Sequence, residues 1–158
     1  MEHVPGKVKF LVCVDTTDEC KVALKFACMR AKNSGGSVLL LYVIEPKELQ
    51  HFAGIEKIMV KEAKEEAKNV LAELAESAMK DFNLKVQTIT SNGKKYNQIV
   101  DLINKDKSIS ILVLGEAPDG MGSNDLINKF TAGLTRSINI PLTIVPGNLS
   151  IEDLEKIT

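Results

Sequence analysis

Short apolar runs alternate along the chain with longer segments whose apolar residues recur every three or four positions. The short runs are rich in β-branched and large aliphatic residues, which is typical of buried strands. We predict five strands, at Val8–Val14, Ser37–Ile44, Leu84–Thr90, Ser110–Gly115 and Leu142–Val145. The longer segments have one apolar stripe and one charged side, so they predict amphipathic helices between the strands.

The first helix is predicted to begin at Thr16, because Thr16 and Glu19 have the spacing of a capping box, and to end at the Asn33–Gly36 turn. Ser91–Gly93 is predicted as the turn after the third strand. A helix N-cap is predicted at Ser150. The other three helices are predicted at Ile55–Phe82, Asn97–Lys105 and around Asp125–Arg136.

Strict alternation of strands and helices is typical of the α/β class, and Ser37–Ile44 is apolar throughout, as in a strand covered on both faces. Right-handed crossovers then favour a doubly wound, five-stranded parallel sheet sandwiched by four helices, with a short C-terminal helix. Pro141 and Pro146 bracket the last strand, so we place it at an edge. We predict one domain over residues 1–158, with a core of about 7–147 and a C-terminal extension of 148–158.

Composition argues against nucleic-acid and membrane partners and indicates the cellular compartment. The 158 residues include 20 Lys and Arg against 21 Asp and Glu, so no strong field favours nucleic acid or an anionic membrane. No apolar run is long enough to span a bilayer, and the N-terminus lacks the pattern of a signal peptide. Three cysteines without C-x-x-C spacing fit a reducing compartment, so we expect a cytoplasmic protein.

Most familiar sites are absent from the sequence. There is no P-loop motif, and no G-x-G-x-x-G follows the first strand. A phospho-acceptor receiver domain would need an aspartate after the third strand and a lysine after the fifth, which are missing here. His3 and His51 have no companions at metal-ligand spacing, so we predict no metal site. Cys13, Cys20 and Cys28 are predicted to fill the core.

Two segments after strands remain as candidates. Asp15 follows the first strand, where a carboxylate can accept hydrogen bonds from a ribose hydroxyl or an adenine amine, or can simply cap the next helix. The loop from Gly115 to Asn124 has three glycines, Gly115, Gly120 and Gly122, and leads into a helix N-terminus, which suits an anion. We expect both at the carboxyl edge of the sheet.

Five segments in order resemble the universal stress protein family over nearly the whole chain. They are Phe10–Asp15, Ala23–Ala27, Val38–Pro46, Ile111–Gly115 and Ile140–Pro146. The resemblance implies the sheet described above, of the adenine nucleotide alpha hydrolase-like type, and a regulatory module that is not an enzyme. It also implies a homodimer formed through the fifth strand, by Leu142, Thr143, Ile144 and Val145, with other proteins as further candidate partners.

ATP-binding members of that family carry G-x-x-G-x9-G-[ST] after the fourth strand. The four positions here are Gly115, Pro118, Asn128 and Lys129, so the spacing is kept and three residue types are lost. Proline has no N–H to offer a phosphate, asparagine adds a Cβ, and lysine replaces a small hydroxyl with a long cation. Thr16–Thr17 also stands where a glycine–serine pair is usual. We therefore expect ATP not to be held in the standard way.

Three functional classes stay open. The first is a stress-response module that acts through protein partners without a nucleotide. The second is a sensor of ATP or another adenine nucleotide, in which Asp15 and the backbone near Val43 hold the base and Gly120–Asn124 hold the phosphates. The predicted nucleotide-binding residues are Asp15, Thr16, Val43, Gly115, Gly120, Gly122, Ser123, Asn128 and Lys129. The third is a small hydrolase or transferase, for which the sequence offers no plausible general base.

Overall fold

The computed structural model describes residues 6–45, 56–118, 124–132 and 137–158. Among these residues, no helix is both long and apolar enough to cross a bilayer. The strands are β1 (Lys9–Val14), β2 (Ser37–Ile44), β3 (Gln87–Asn92), β4 (Ile111–Glu116) and β5 (Leu142–Pro146). The helices are α1 (Asp18–Ser34), α2 (Glu56–Phe82), α3 (Lys95–Lys105), α4 (Asn124–Thr131) and α5 (Ile151–Ile157).

The strands form one sheet in the order β3-β2-β1-β4-β5, and every pair is parallel. The central strand β1 pairs with β2 from Lys9 to Val14 and with β4 from Phe10 to Val12. The predicted α/β fold with a doubly wound parallel sheet is confirmed, and β5 lies at an edge as expected.

Helices cover both faces of the sheet. Alternate residues of β1 and β2 pack against α1, α2 and Leu154 of α5 on one face. The residues between them, such as Leu11 and Leu39, pack against Ile99 of α3 and Phe130 of α4 on the other. This two-sided burial is the reason that β2 is apolar along almost its whole length.

Several element ends differ from the prediction. Strand β3 begins at Gln87 rather than Leu84, because Asn83 adopts a left-handed conformation (φ 51°) and its N–H caps the carbonyl of Met79 at the end of α2. The strand also continues through Ser91 and Asn92, which pair with Val43 and Ile44, so the predicted turn there is wrong. In the fourth predicted helix, α4 ends at Thr131, and residues 133–136 lie outside the described part.

Of three predicted helix ends, two are confirmed and one is wrong. Gly35 ends α1 in the left-handed region (φ 69°), as the glycine turn predicts. Ser150 caps α5, with its Oγ accepting a hydrogen bond from the N–H of Asp153 at 3.1 Å. The capping box predicted at Thr16 and Glu19 is wrong: Thr17 is the N-cap of α1, and its hydroxyl donates to Asp15 Oδ1 and accepts no hydrogen bond from the helix.

A buried ion pair joins the amino end of the sheet to the end of α3. The Lys9 ammonium lies 2.9 Å from Asp106 Oδ2 and 3.2 Å from Ser108 Oγ. Burial alone would raise the pKa of Asp106, but hydrogen bonds from Ser108 and Lys9 outweigh it and lower that pKa below its ordinary value. The pair therefore stabilises the fold above the ordinary carboxyl pKa, and this stabilisation is lost as the pH falls through the lowered value.

We expect Lys9→Met to lower the free energy of unfolding by about 2 kcal/mol at pH 7, because it leaves a largely buried carboxylate without its cation. Urea denaturation measures this loss, and Lys7→Met, at an exposed position, is the control. The difference between Lys9→Met and wild type should shrink in strong acid, where Asp106 is protonated in both. A Lys9→Met protein as stable as the Lys7→Met control at pH 7 would contradict the assignment.

Candidate functional site

A cleft of about 550 Å³ opens at the carboxyl ends of β1, β2 and β4. It lies where the strand order reverses, since the chain moves from β1 outward to β3 on one side and returns to β4 on the other. This is the place where open parallel sheets bind ligands. As the sequence predicted, Asp15 and Gly115 line the same cleft.

The cleft has an apolar floor and charged walls. Cys13, Tyr42 and Leu114 come from the strands, while Leu126 and Ile127 come from α4. The charged groups that line it are four carboxylates and two ammonium groups: Asp15, Glu19, Glu45, Asp125, Lys95 and Lys129. The described lining is therefore net acidic.

Asp15 uses its two carboxylate oxygens differently. Oδ1 accepts a hydrogen bond from the N–H of Thr17 at 2.8 Å and another from the Thr17 hydroxyl. This is an Asx turn, which positions the residues ahead of α1 without capping the helix itself. Oδ2 lies 3.7 Å from the ammonium of Lys95. Asp15 thus has both a local structural role and an oxygen directed at the cleft.

Lys95, in the first turn of α3, is a site residue that sequence reasoning missed. Its ammonium lies 3.7 Å from Asp15 Oδ2 and 3.9 Å from Glu45 Oε1, so it bridges the residues that follow β1 and β2. One signal was available in the sequence. A lysine pair, Lys94–Lys95, opens a helix where acidic residues are favoured.

Gly115 has a packing role that its motif position does not reveal. A Cβ built on it would lie 2.3 Å from the carbonyl oxygen of Glu19 and 3.2 Å from the backbone nitrogen of Cys20. Only glycine lets β4 approach the first turn of α1 this closely. The residue also lines the cleft, so its absent side chain shapes the site by bringing α1 against β4.

The other three motif positions, Pro118, Asn128 and Lys129, do not come together around the cleft. Asn128 and Lys129 lie inside α4 on its exposed side, and of the two only Lys129 lines the cleft. The Asn128 carbonyl accepts a helical hydrogen bond from Ala132, so Asn128 is not the left-handed loop residue that could replace a glycine. Pro118 is exposed in the loop after β4. Gly120, Gly122 and Ser123 lie outside the described residues.

Two further predicted residues flank the cleft. Thr16 is exposed and lines it. Val43 is only 2% exposed and packs in the core beside Leu41, while its neighbours Tyr42 and Glu45 reach the cleft. Any role of Val43 toward a ligand is therefore one of its backbone, as the sequence interpretation stated.

The loop after β4 is closed by one asparagine. Asn124 Oδ1 accepts a hydrogen bond from the N–H of Ala117 at 2.9 Å, and its Nδ2 donates to the carbonyl of Ala117 at 3.4 Å. This reciprocal pair joins the end of β4 to the start of α4. These two hydrogen bonds tie the start of α4, which lines the cleft, to the end of β4.

Two of the three cysteines fill the core as predicted. Cys20 and Cys28 are buried, and Cys13, half-buried, lies on the cleft floor. Burial raises the pKa of each of the three thiols to about 12, so they are protonated at neutral pH and are poor nucleophiles. Among the described residues, no group of three or more His, Cys, Asp or Glu could hold a metal ion. His3 and His51 lie outside that part of the chain.

The residues expected at a dimer interface lie on the edge strand β5. Leu142, Thr143 and Ile144 are partly buried and Val145 is buried. Leu142 and Ile144 pack partly against the core formed with α3 and α4. Among the strands that the structure describes, none pairs with the outer edge of β5.

The model of the universal stress protein family matches residues 8–146. The chain belongs to the universal stress protein family. The match runs from β1 to the end of β5, so it includes every strand and the whole described cleft, and it leaves α5 outside. The resemblance read from the sequence is confirmed.

Solved structures of family members share the fold at low identity. UspA from Lactobacillus plantarum is 18% identical, with a TM-score of 0.69 over 87% of this chain and 97% of that one. A universal stress protein from Archaeoglobus fulgidus in complex with dAMP is 17% identical, with a TM-score of 0.59 over 87% and 97%. A family protein from Arabidopsis thaliana with AMP bound is 13% identical, with a TM-score of 0.56 over 88% and 90%. No curated protein matches the chain in sequence.

We expect Gly115→Ala to destabilise the fold by about 2 kcal/mol, because the added Cβ would overlap the backbone of α1 and force β4 and α1 apart. Thermal and urea denaturation measure this loss. If glycine were needed at this position only for a ligand, the variant would keep wild-type stability, and that result would contradict the packing role.

Proposed function

We propose that this chain is a cytoplasmic, homodimeric universal stress protein that regulates through protein partners, is not an enzyme, and does not hold ATP in the family's standard way. The observation that carries the proposal is the composition of the cleft wall, where four carboxylates face two ammonium groups. A triphosphate brings several negative charges into such a surface and meets net repulsion.

The motif positions of this chain also offer a phosphate fewer backbone N–H donors than the glycines of the standard motif do. Pro118 has no N–H, and the N–H groups of Asn128 and Lys129 belong to the interior of α4 rather than to a loop or to the first turn. Of the two cations that line the described cleft, Lys95 already faces Asp15 and Glu45, which leaves Lys129 to meet a phosphate. A single mobile ammonium holds a phosphate less firmly than a ring of fixed N–H groups does.

The proposal that the chain is not an enzyme is supported by the protonation of the cysteines that line the cleft. The two cysteines that line the cleft, Cys13 and Cys20, have pKa values raised to about 12 by burial. To act as a nucleophile, such a thiol needs a neighbouring base that accepts its proton or a cation that lowers its pKa. Near Cys13, Lys95 acts in that direction but burial outweighs it.

The homodimer is supported by the edge strand β5. Its outer edge is open in the sheet, and an apolar sequence such as Leu142–Val145 on an open edge favours pairing with a second chain. A twofold axis would place two copies of β5 side by side and remove both edges. The cytoplasmic location is supported by three free cysteines, which suit a reducing compartment.

A second candidate is a sensor of an adenine nucleotide. It is favoured by the position of the cleft at the strand-order reversal and by the relatives crystallised with dAMP and AMP. In this candidate Asp15, Thr16 and the Val43 backbone hold the nucleoside part. Lys129 meets a phosphate as a point charge.

We expect calorimetric titration of the wild-type protein with ATP to show no micromolar binding, because the cleft lacks the backbone donors and is net acidic. AMP titrated in parallel is the comparison, since it carries fewer charges. Micromolar ATP binding would contradict the first candidate and favour the sensor.

We expect Ile144→Lys to shift the protein toward monomer in sedimentation velocity, because a charge would be buried where two β5 strands meet. Ile151→Lys is the matched control, as Ile151 is 44% exposed on α5, a helix that packs against α1. A variant at Ile144 that stays dimeric would argue against pairing through β5.

A further inference from the structure

Lys95 lies at a helix end where a cation is locally unfavourable. The first turn of α3 contains no acidic residue, and its N-cap is Lys94, whose side chain makes no capping hydrogen bond. The partial positive charge of a helix N-terminus repels a lysine placed there. Positions that break a local rule in this way are often functional. The carboxylates of Asp15 and Glu45 attract the Lys95 ammonium and so offset this repulsion.

The contacts of Lys95 are close enough to attract and too long to be direct hydrogen bonds. Charge-assisted N–H···O bonds measure about 2.8 Å, whereas the ammonium is 3.7 Å from Asp15 Oδ2 and 3.9 Å from Glu45 Oε1. The side chains of Lys95, Asp15 and Glu45 are 27%, 24% and 25% exposed. Lys95 is therefore held between two partners by loose pairs that can exchange.

Asp15 has one oxygen left for a ligand, and Lys95 faces that oxygen. Oδ1 is engaged by the N–H and hydroxyl of Thr17, so a ligand that donates a hydrogen bond to Asp15 must use Oδ2. Such a ligand has to displace the ammonium or share the oxygen with it. At Glu45 the ammonium faces Oε1, so a donor that uses this oxygen competes with Lys95 in the same way.

We propose that Lys95 is the specificity-determining residue of the cleft, a tethered cation that competes with ligand donor groups for Asp15 and Glu45. The ligand class that matches the two carboxylates is an uncharged nucleoside, whose ribose hydroxyls and base amine are donors. This inference deepens the proposal that the cleft does not hold ATP in the standard way, and it rests on the cleft being the ligand site.

The test is calorimetric titration with adenosine of wild type, Lys95→Met and Lys94→Met. Lys94→Met is matched, since it removes the same charge one residue away, at an exposed position outside the cleft lining. We expect Lys95→Met to bind adenosine about three to ten times more tightly than wild type, the range that breaking one or two partly exposed ion pairs allows. Lys94→Met should bind as wild type does.

AMP separates this role from a general effect on the fold. Removing Lys95 leaves the cleft more acidic, so AMP should gain less than adenosine, and the preference for adenosine over AMP should rise only in Lys95→Met. Adenosine binding by Lys95→Met that is equal, weaker or undetectable at millimolar concentration overturns the inference, as does an equal gain in Lys94→Met. The proposed function fails separately, through micromolar binding of ATP to the wild-type protein.

Discussion

The parallel pairing of β1 with β2 on one side and with β4 on the other is the constraint on which the rest of the structure depends. Because all three strands run the same way, the residues that follow them meet at one edge of the sheet. Gly115 then allows the first turn of α1 to approach β4, which places the Asp15 turn against the end of that strand. The cleft is thus a product of strand direction and one missing side chain.

The two ends of the sheet use charge for different purposes. At the amino end, Lys9 contacts Asp106 at 2.9 Å, and both side chains are largely buried, so the pair fastens β1 to the end of α3. At the carboxyl end, Lys95 lies 3.7 Å from Asp15, and both side chains are more exposed. The short pair stabilises the fold, whereas the long one leaves its carboxylates able to exchange partners.

The fold could be predicted because hydrophobic periodicity records burial directly. Strand β2, apolar and covered on both faces, was predicted with its observed bounds of Ser37 and Ile44. The misplaced start of β3 arose because Leu84 follows a left-handed cap at Asn83, a conformation that apolar patterning does not record. Asp15 and Gly115 were placed in one cleft from topology alone. Lys95 was missed, because its ion pairs join residues distant in sequence and depend on how α3 is docked.

We propose that the cleft beside Asp15 is the ligand site of this family member. The most direct measurement is a ¹H–¹⁵N correlation NMR titration of the assigned wild-type protein with adenosine up to millimolar concentration. We predict shifts confined to amides of the Asp15–Thr17 turn, Glu45, Lys95–Tyr96 and the end of β4, with the Lys9 and Asp106 amides unmoved. Shifts centred on another surface, or none at all, would contradict it.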